Sequence, residues 1–104
     1  MKKRDIVLVE VPYTDLSERK LRPALVLGRT QEDYLCCFIS SNPKMRDDQD
    51  IAIRKNGQNN LRADSVIKCG KIFTLHQTLV ERKIGSVGMA EYRSVIKMIT
   101  QIIR

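Results

Sequence analysis

The sequence predicts a mainly β domain that ends in one C-terminal helix and packs as a small, partly open barrel. Short β-branched runs, each bounded by Pro, Gly or a polar stretch, fill most of the chain. One segment alone shows helical spacing, and it lies at the C-terminal end. The length of 104 residues suits one core and one domain, residues 1–104.

The elements follow in order. Residues 5–11 are a nearly unbroken β-branched and Leu run that Pro12 ends, so they predict the first strand. Residues 13–21 are polar and charged, and predict a mobile loop. Pro23 opens a second apolar run over residues 24–27, and Gly28 marks a bulge or close backbone approach. After a turn near residues 31–33, a third strand is expected over residues 34–41. Residues 43–49 predict a second polar loop, and residues 50–53 a short strand. Asn56-Gly57 signals a turn. Residues 65–74 predict a long strand with a kink at Gly70, and residues 83–87 a last short one. Gly88 then caps a helix, with Glu91 placed to meet its N-terminus. Tyr92, Val95, Ile96, Ile99, Ile102 and Ile103 share one helical face, fit for a core or a subunit interface.

Composition narrows the function. Hydrophobic residues at 42% and charged residues at 30% describe a globular chain rather than a disordered one. No apolar run approaches the roughly 18 residues that a membrane span needs. The basic start is interrupted at once by Asp5, and no export signal is read, so a cytoplasmic protein is expected. Cys36, Cys37 and Cys69 form no C-x-x-C pair and read as buried thiols of a reducing compartment. With a single His, His76, a zinc site is not expected, and no metal or cofactor motif is read. Lys plus Arg number 19 against 12 acidic residues, a net charge of +7 that suits either a polyanionic partner or a solubilising surface.

Five blocks carry a resemblance. They are Asp5-Ile6-Val7-Leu8-Val9 with Pro12-Tyr13-Thr14-Asp15-Leu16-Ser17; Leu21-Arg22-Pro23-Ala24-Leu25-Val26-Leu27; Ile39-Ser40-Ser41-Asn42; Leu61-Arg62-Ala63-Asp64-Ser65-Val66-Ile67; and Lys71-Ile72-Phe73-Thr74-Leu75. In order and spacing they resemble the MazF/PemK toxins. The resemblance implies an SH3-like barrel that dimerises, cleavage of single-stranded RNA, and neutralisation by a small antitoxin protein.

RNA can be cut without metal through its own 2′-hydroxyl, if a group removes that proton and another stabilises charge at phosphorus. One His per chain excludes a two-histidine mechanism within a subunit. Arg22, at a loop-to-strand junction beside Pro23, can hold a phosphate in a bidentate fork. The resemblance assigns it a catalytic role. Charge stabilisation suits it best, since an arginine is a poor general base. Ser40 matches the family's catalytic Thr or Ser. The plainer alternative is a strand-end serine that caps a turn. Ser41 is a weaker neighbour. Lys68 falls where some PemK-type members carry a catalytic Arg, and can bind phosphate or stand as a surface charge. Gly70 falls where those members have an Asp proposed as proton acceptor, which leaves the proton route open. His76 lies just beyond the matched blocks. Tyr13, Thr14, Lys20, Asn42, Lys44 and Arg46 sit on the two polar loops as candidate RNA contacts, with Tyr13 the one evident base stacker. Two other functions stay open: a CcdB-like inhibitor of DNA gyrase on the same fold, and a non-catalytic RNA-binding or autoregulatory module.

Overall fold

The computed structural model describes residues 1–12, 19–42 and 46–104, and of residues 11, 12 and 19 the backbone alone. Its strands are β1 (Asp5–Pro12), β2 (Arg19–Arg29), β3 (Asp33–Ser40), β4 (Asp50–Ile53), β5 (Ser65–His76) and β6 (Val80–Ser86), and helix α1 (Met89–Ile103) follows. They form one six-stranded antiparallel sheet in the order β4-β5-β3-β2-β1-β6. The sheet carries bulges, which bend its strands, and is not closed. This is the mainly β fold with a C-terminal helix that the sequence predicts.

The curvature has a local cause. Between the pairs Cys37↔Ile72 and Ile39↔Ile67, one residue of β3 (Phe38) faces four of β5, Lys68 to Lys71. Such a bulge bends its strand and re-aims the side chains beyond it. The expected kink at Gly70 falls inside it. Cys69 accordingly packs into one core cluster, while Phe73 and Leu75 pack against the other. The first cluster gathers Ile6, Leu25, Ile39, Ile53 and Ile67 under Val95 of α1. The second gathers Val7, Val9, Ala24, Val26, Tyr34 and Cys36. β1 serves both, because Ile6 and Val7 point to opposite faces.

Two boundaries differ most from expectation. β2 begins at Arg19, so residues 19–21 belong to a strand rather than a loop. Pro23 lies inside it, opposite Leu8 of β1. Proline is tolerated there because the recorded pairing of β2 with β3 starts only at Ala24, so no ladder bond on that side is lost. β6 starts at Val80 instead of residue 83, fed by a 3-10 turn at Gln77–Leu79 that the sequence did not signal.

Gly88 caps α1 as expected, and its N–H donates to Glu91 Oε1 at 2.9 Å. The Tyr92 hydroxyl donates to the Leu27 carbonyl at 2.6 Å, tying the helix to β2. Val95 is buried, Ile96 and Ile99 are half-buried, and Ile102 and Ile103 are exposed. The apolar stripe therefore runs past the core it covers. No helix of the described residues is long and apolar enough to cross a membrane.

The loop between β4 and β5 closes around Asn59, which is fully buried. Its Oδ1 accepts from the N–H groups of Asn56 and Leu61, both at 3.0 Å, and its Nδ2 donates to the Arg54 carbonyl at 2.8 Å. Gly85 of β6 presses on this loop: a Cβ there would stand 2.6 Å from the Asn59 carbonyl oxygen. Only a residue without a side chain permits that approach.

Candidate active site

The polar end of the sheet, where β3 runs out beside β4 and β5, holds an open cleft of about 250 Å³. Ser40, Ser41, Asn42 and Arg46 line it together with Ala52, Ile53, Arg54, Asp64, Ser65 and Val66. Ser40, the last residue of β3, pairs with Val66, which in turn pairs with Ala52. Antiparallel partners share a sheet face. Ser40, Val66 and Ala52 therefore form one row across three strands.

Arg22 reaches the same face from β2. It pairs with Val9, a member of the second core cluster, and so faces that cluster's side. Phe38 pairs with Ala24 of the same cluster. The ladder between β2 and β3 ends at that pair, and Arg22 lies two residues beyond it on β2 and Ser40 two residues beyond it on β3, on the same face. Lys20, two residues before Arg22, shares its face and is exposed. Phe38 is half-buried and stacks on Phe73, with centroids 4.2 Å apart and planes 21° from parallel. The residue counts offered no hint of this aromatic pair beside the Arg22–Ser40 row.

Ser40 Oγ accepts the N–H of Asn42 at 3.2 Å, the turn-capping contact expected of a strand-end serine. That bond uses one lone pair and leaves the hydroxyl proton for another acceptor. Turn capping and a role toward substrate are thus compatible at this atom. Ser41 and Asn42 are exposed on the cleft rim, as is Arg46. Tyr13, Thr14 and Lys44 lie outside the described residues.

Lys68 is not the open cation that its residue type suggests. It is 5% exposed, and its Nζ meets Asp50 Oδ2 at 3.0 Å and Asp47 Oδ2 at 3.2 Å. Desolvation works to lower its pKa, but hydrogen bonds and charge from the two carboxylates outweigh it and raise the value. Asp47 is held below the usual carboxylate range, first by the Gln49 N–H and then by Lys68. Gly70 is exposed, and a Cβ there would meet nothing within 4 Å. Its lack of a carboxylate is therefore not a packing requirement.

His76 stands ten residues along β5 from Val66, at the far end of that strand. Its Nδ1 lies 2.8 Å from Thr78 Oγ1 and accepts the Thr78 N–H, so it caps the 3-10 turn. It does not meet the cleft. The three cysteines are unpaired and buried. Burial raises the Cys36 and Cys69 thiols to about 11 and pushes Cys37 higher still, which suppresses thiolate chemistry. Among the described residues, no three His, Cys, Asp or Glu side chains gather as a metal site requires.

Arg54 and Asp64 were not anticipated. They reach the cleft only because β4 and β5 pair, and their spacing in the chain carries no such signal. Arg54 adds a second exposed guanidinium to the cleft lining besides that of Arg46.

Comparison with known proteins agrees with this architecture. No curated protein sequence matches the chain. A mycobacterial endoribonuclease solved in complex with its cognate antitoxin superimposes with a TM-score of 0.78 at 10% identity, covering 99% of this chain and 94% of that one. The Mycobacterium tuberculosis toxin MazF-mt6 gives 0.74 at 19% identity, covering 96% of each chain. MazF of the MazE–MazF complex from Deinococcus radiodurans gives 0.78 at 13% identity, covering 99% and 95%. At such identities these likenesses speak for the fold. The model of the PemK-like, MazF-like toxins of type II toxin–antitoxin systems matches residues 2–103, nearly the whole chain. The chain therefore belongs to the MazF/PemK family of type II toxins.

Proposed function

We propose that this toxin is an endoribonuclease that cuts single-stranded RNA without a metal ion. RNA cleavage is the activity known for the family. In the proposed reaction the 2′-hydroxyl loses its proton and its oxygen bonds to the adjacent phosphorus. The bond from phosphorus to the 5′-oxygen breaks, and that oxygen takes up a proton. The products are a 2′,3′-cyclic phosphate and a 5′-hydroxyl end. The Arg22 guanidinium stabilises the charge that builds on the phosphoryl oxygens, and the Ser40 hydroxyl donates to one of them. Ser41, Lys20, Asn42, Arg46 and Arg54 hold the strand on either side, with Tyr13, Thr14 and Lys44 of the flanking loops.

The observation that supports this most is register. Arg22 and Ser40 come from different strands, each two residues beyond the last β2–β3 pair and on the same face of the sheet, and Ser40 lines a cleft that Arg46 and Arg54 also line. The net charge of +7 favours the same partner. The partners proposed are single-stranded RNA, a cognate antitoxin and a second copy of this chain, in the cytoplasm. Neighbours of the same fold were solved with an antitoxin bound, and the uncovered end of the α1 stripe is apolar enough for a subunit contact.

The test is to incubate the protein with mixed-sequence single-stranded RNA in excess EDTA and to map the product ends. Cyclic phosphate and 5′-hydroxyl ends are expected. Binding without scission, or no interaction at all, would overturn the proposal and favour a binding module or a protein-directed inhibitor. RNA affinity should also fall steeply with added salt.

A further inference from the structure

Lys68, Asp47 and Asp50 form a charge cluster that the reaction above does not use. Lys68 sits on β5 and Asp50 opposite it on β4, while Asp47 lies in the β3–β4 connection. The carboxylates do more than pair with the ammonium. Asp50 Oδ2 also accepts the Asp47 N–H at 2.9 Å, and the Asp50 N–H donates to the Asp47 carbonyl at 3.2 Å. Asp47 Oδ1 accepts the Gln49 N–H at 2.9 Å. The backbone of residues 47–50 is thus folded around the same two carboxylates that hold Lys68. Arg46, on the cleft rim, is one peptide away from this turn.

The burial is uneven in an informative way. The side chains of Lys68 and Asp50 are 6% and 1% exposed, whereas that of Asp47 is 46% exposed. The cluster therefore has a fixed base in the sheet and a half-open arm on the loop. A surface lysine meant to grip RNA would be exposed and mobile. This one is engaged below the surface, and what it secures is the segment that carries an exposed arginine.

We propose that Lys68 is a positioning residue, and that its ammonium, clamped by Asp47 and Asp50, fixes the turn that presents Arg46 to an RNA phosphate flanking the scissile one. The inference rests on the endoribonuclease reading for the identity of the ligand. It does not rest on that reading for the clamp itself.

Asp47→Asn separates this role from direct phosphate binding. It raises the net charge from +7 to +8 and loosens one partner of Lys68, while the amide can still accept the Gln49 N–H. If Lys68 were itself a phosphate ligand, Asp47→Asn would bind single-stranded RNA more tightly. As a positioning clamp, it must weaken binding. Three proteins are compared in EDTA: wild type, Asp47→Asn and Lys68→Met. The readouts are affinity for a single-stranded RNA oligonucleotide, kcat and KM for its cleavage, and amide hydrogen exchange at Asp47, Gln49 and Asp50. Expected for both variants are a rise of about tenfold in Kd and KM, kcat within about threefold of wild type, and faster exchange at those amides.

Tighter binding by Asp47→Asn would overturn the proposal. So would a fall of about 10²-fold in kcat with KM unchanged in Lys68→Met, which would mark a group acting on the reacting atoms. Should Lys68→Met not fold, Asp47→Asn decides alone, since that half-exposed side chain can be altered with the buried pair intact. Should the wild type neither bind nor cut RNA, the nuclease reading fails separately. Exchange then judges the clamp: unchanged protection in Asp47→Asn would end it.

Discussion

Two polar loops flank β4 in the chain, and they are built on opposite electrostatic plans. The loop between β4 and β5 winds around a neutral amide, Asn59, which is fully buried and has both its acceptor and its donor engaged. The β3–β4 connection winds around an ammonium, Lys68, with one buried carboxylate and one half-exposed. A satisfied neutral hub in a dry site gives a rigid seam that salt and pH hardly touch. A charged hub open on one side responds to salt, to pH and to nearby phosphates. The first loop carries Gly85 against its back and serves the fold. The second carries Arg46 and Asn42 to the cleft.

Four experiments would break or sharpen this contrast. The largest effect is expected at the site itself. Arg22→Ala should lower cleavage at least about 10²-fold with stability little changed, read by single-turnover kinetics and a denaturation curve. Full activity would remove Arg22 from the mechanism. Next comes Asn59→Ala, which strands two backbone N–H groups and one carbonyl. It should cost about 3 kcal/mol in urea unfolding while the folded fraction keeps its RNA affinity. Loss of affinity beyond the unfolded fraction would mean that the two loops are coupled. Gly85→Ala forces a methyl onto the Asn59 backbone and should cost about 2 kcal/mol by the same assay, again without a change in KM.

The smallest effect is expected from pH. Asp47 has a lowered pKa when folded, so its contribution is full above the ordinary carboxylate value of 3.8 and is lost as pH falls through the lower folded value. Lys68 has a raised pKa, so its contribution is full below 10.5 and is lost as pH rises through the higher folded value. The stability difference between wild type and Asp47→Asn should therefore be flat from about pH 5 to 9 and shrink below about 4. A difference that already varies near neutrality would contradict the assigned directions.

The contrast also explains what could be read from the sequence. β4, the Gly88 cap and the turn at Asn56-Gly57 follow from local chemistry: alternation, a capping residue with Glu91 behind it, and an asparagine whose Oδ1 accepts the N–H groups of Gln58 and Asn59. Pro23 misled because proline normally opens or edges a strand. Its tolerance inside β2 depends on where pairing with β3 stops, which is a tertiary fact. Lys68 looked like a surface charge because its partners are 18 and 21 residues away. Arg54 and Asp64 join the cleft through strand pairing that no spacing encodes. Family resemblance singles out Arg22 and Ser40, and their place on one face of β2 and β3 follows from strand pairing.

Tyr92 gives the molecule an optical reporter of its own. The chain has no tryptophan and three tyrosines, and burial raises the ionisation of this one. Its proton is the one donated to the Leu27 carbonyl, so forming the phenolate breaks that hydrogen bond between the helix and β2. That attachment is intact below the ordinary tyrosine value of 10.0 and fails as pH climbs through the raised one. In an alkaline absorbance titration, the delayed part of the tyrosinate signal would then record the loss of that bond, without any label.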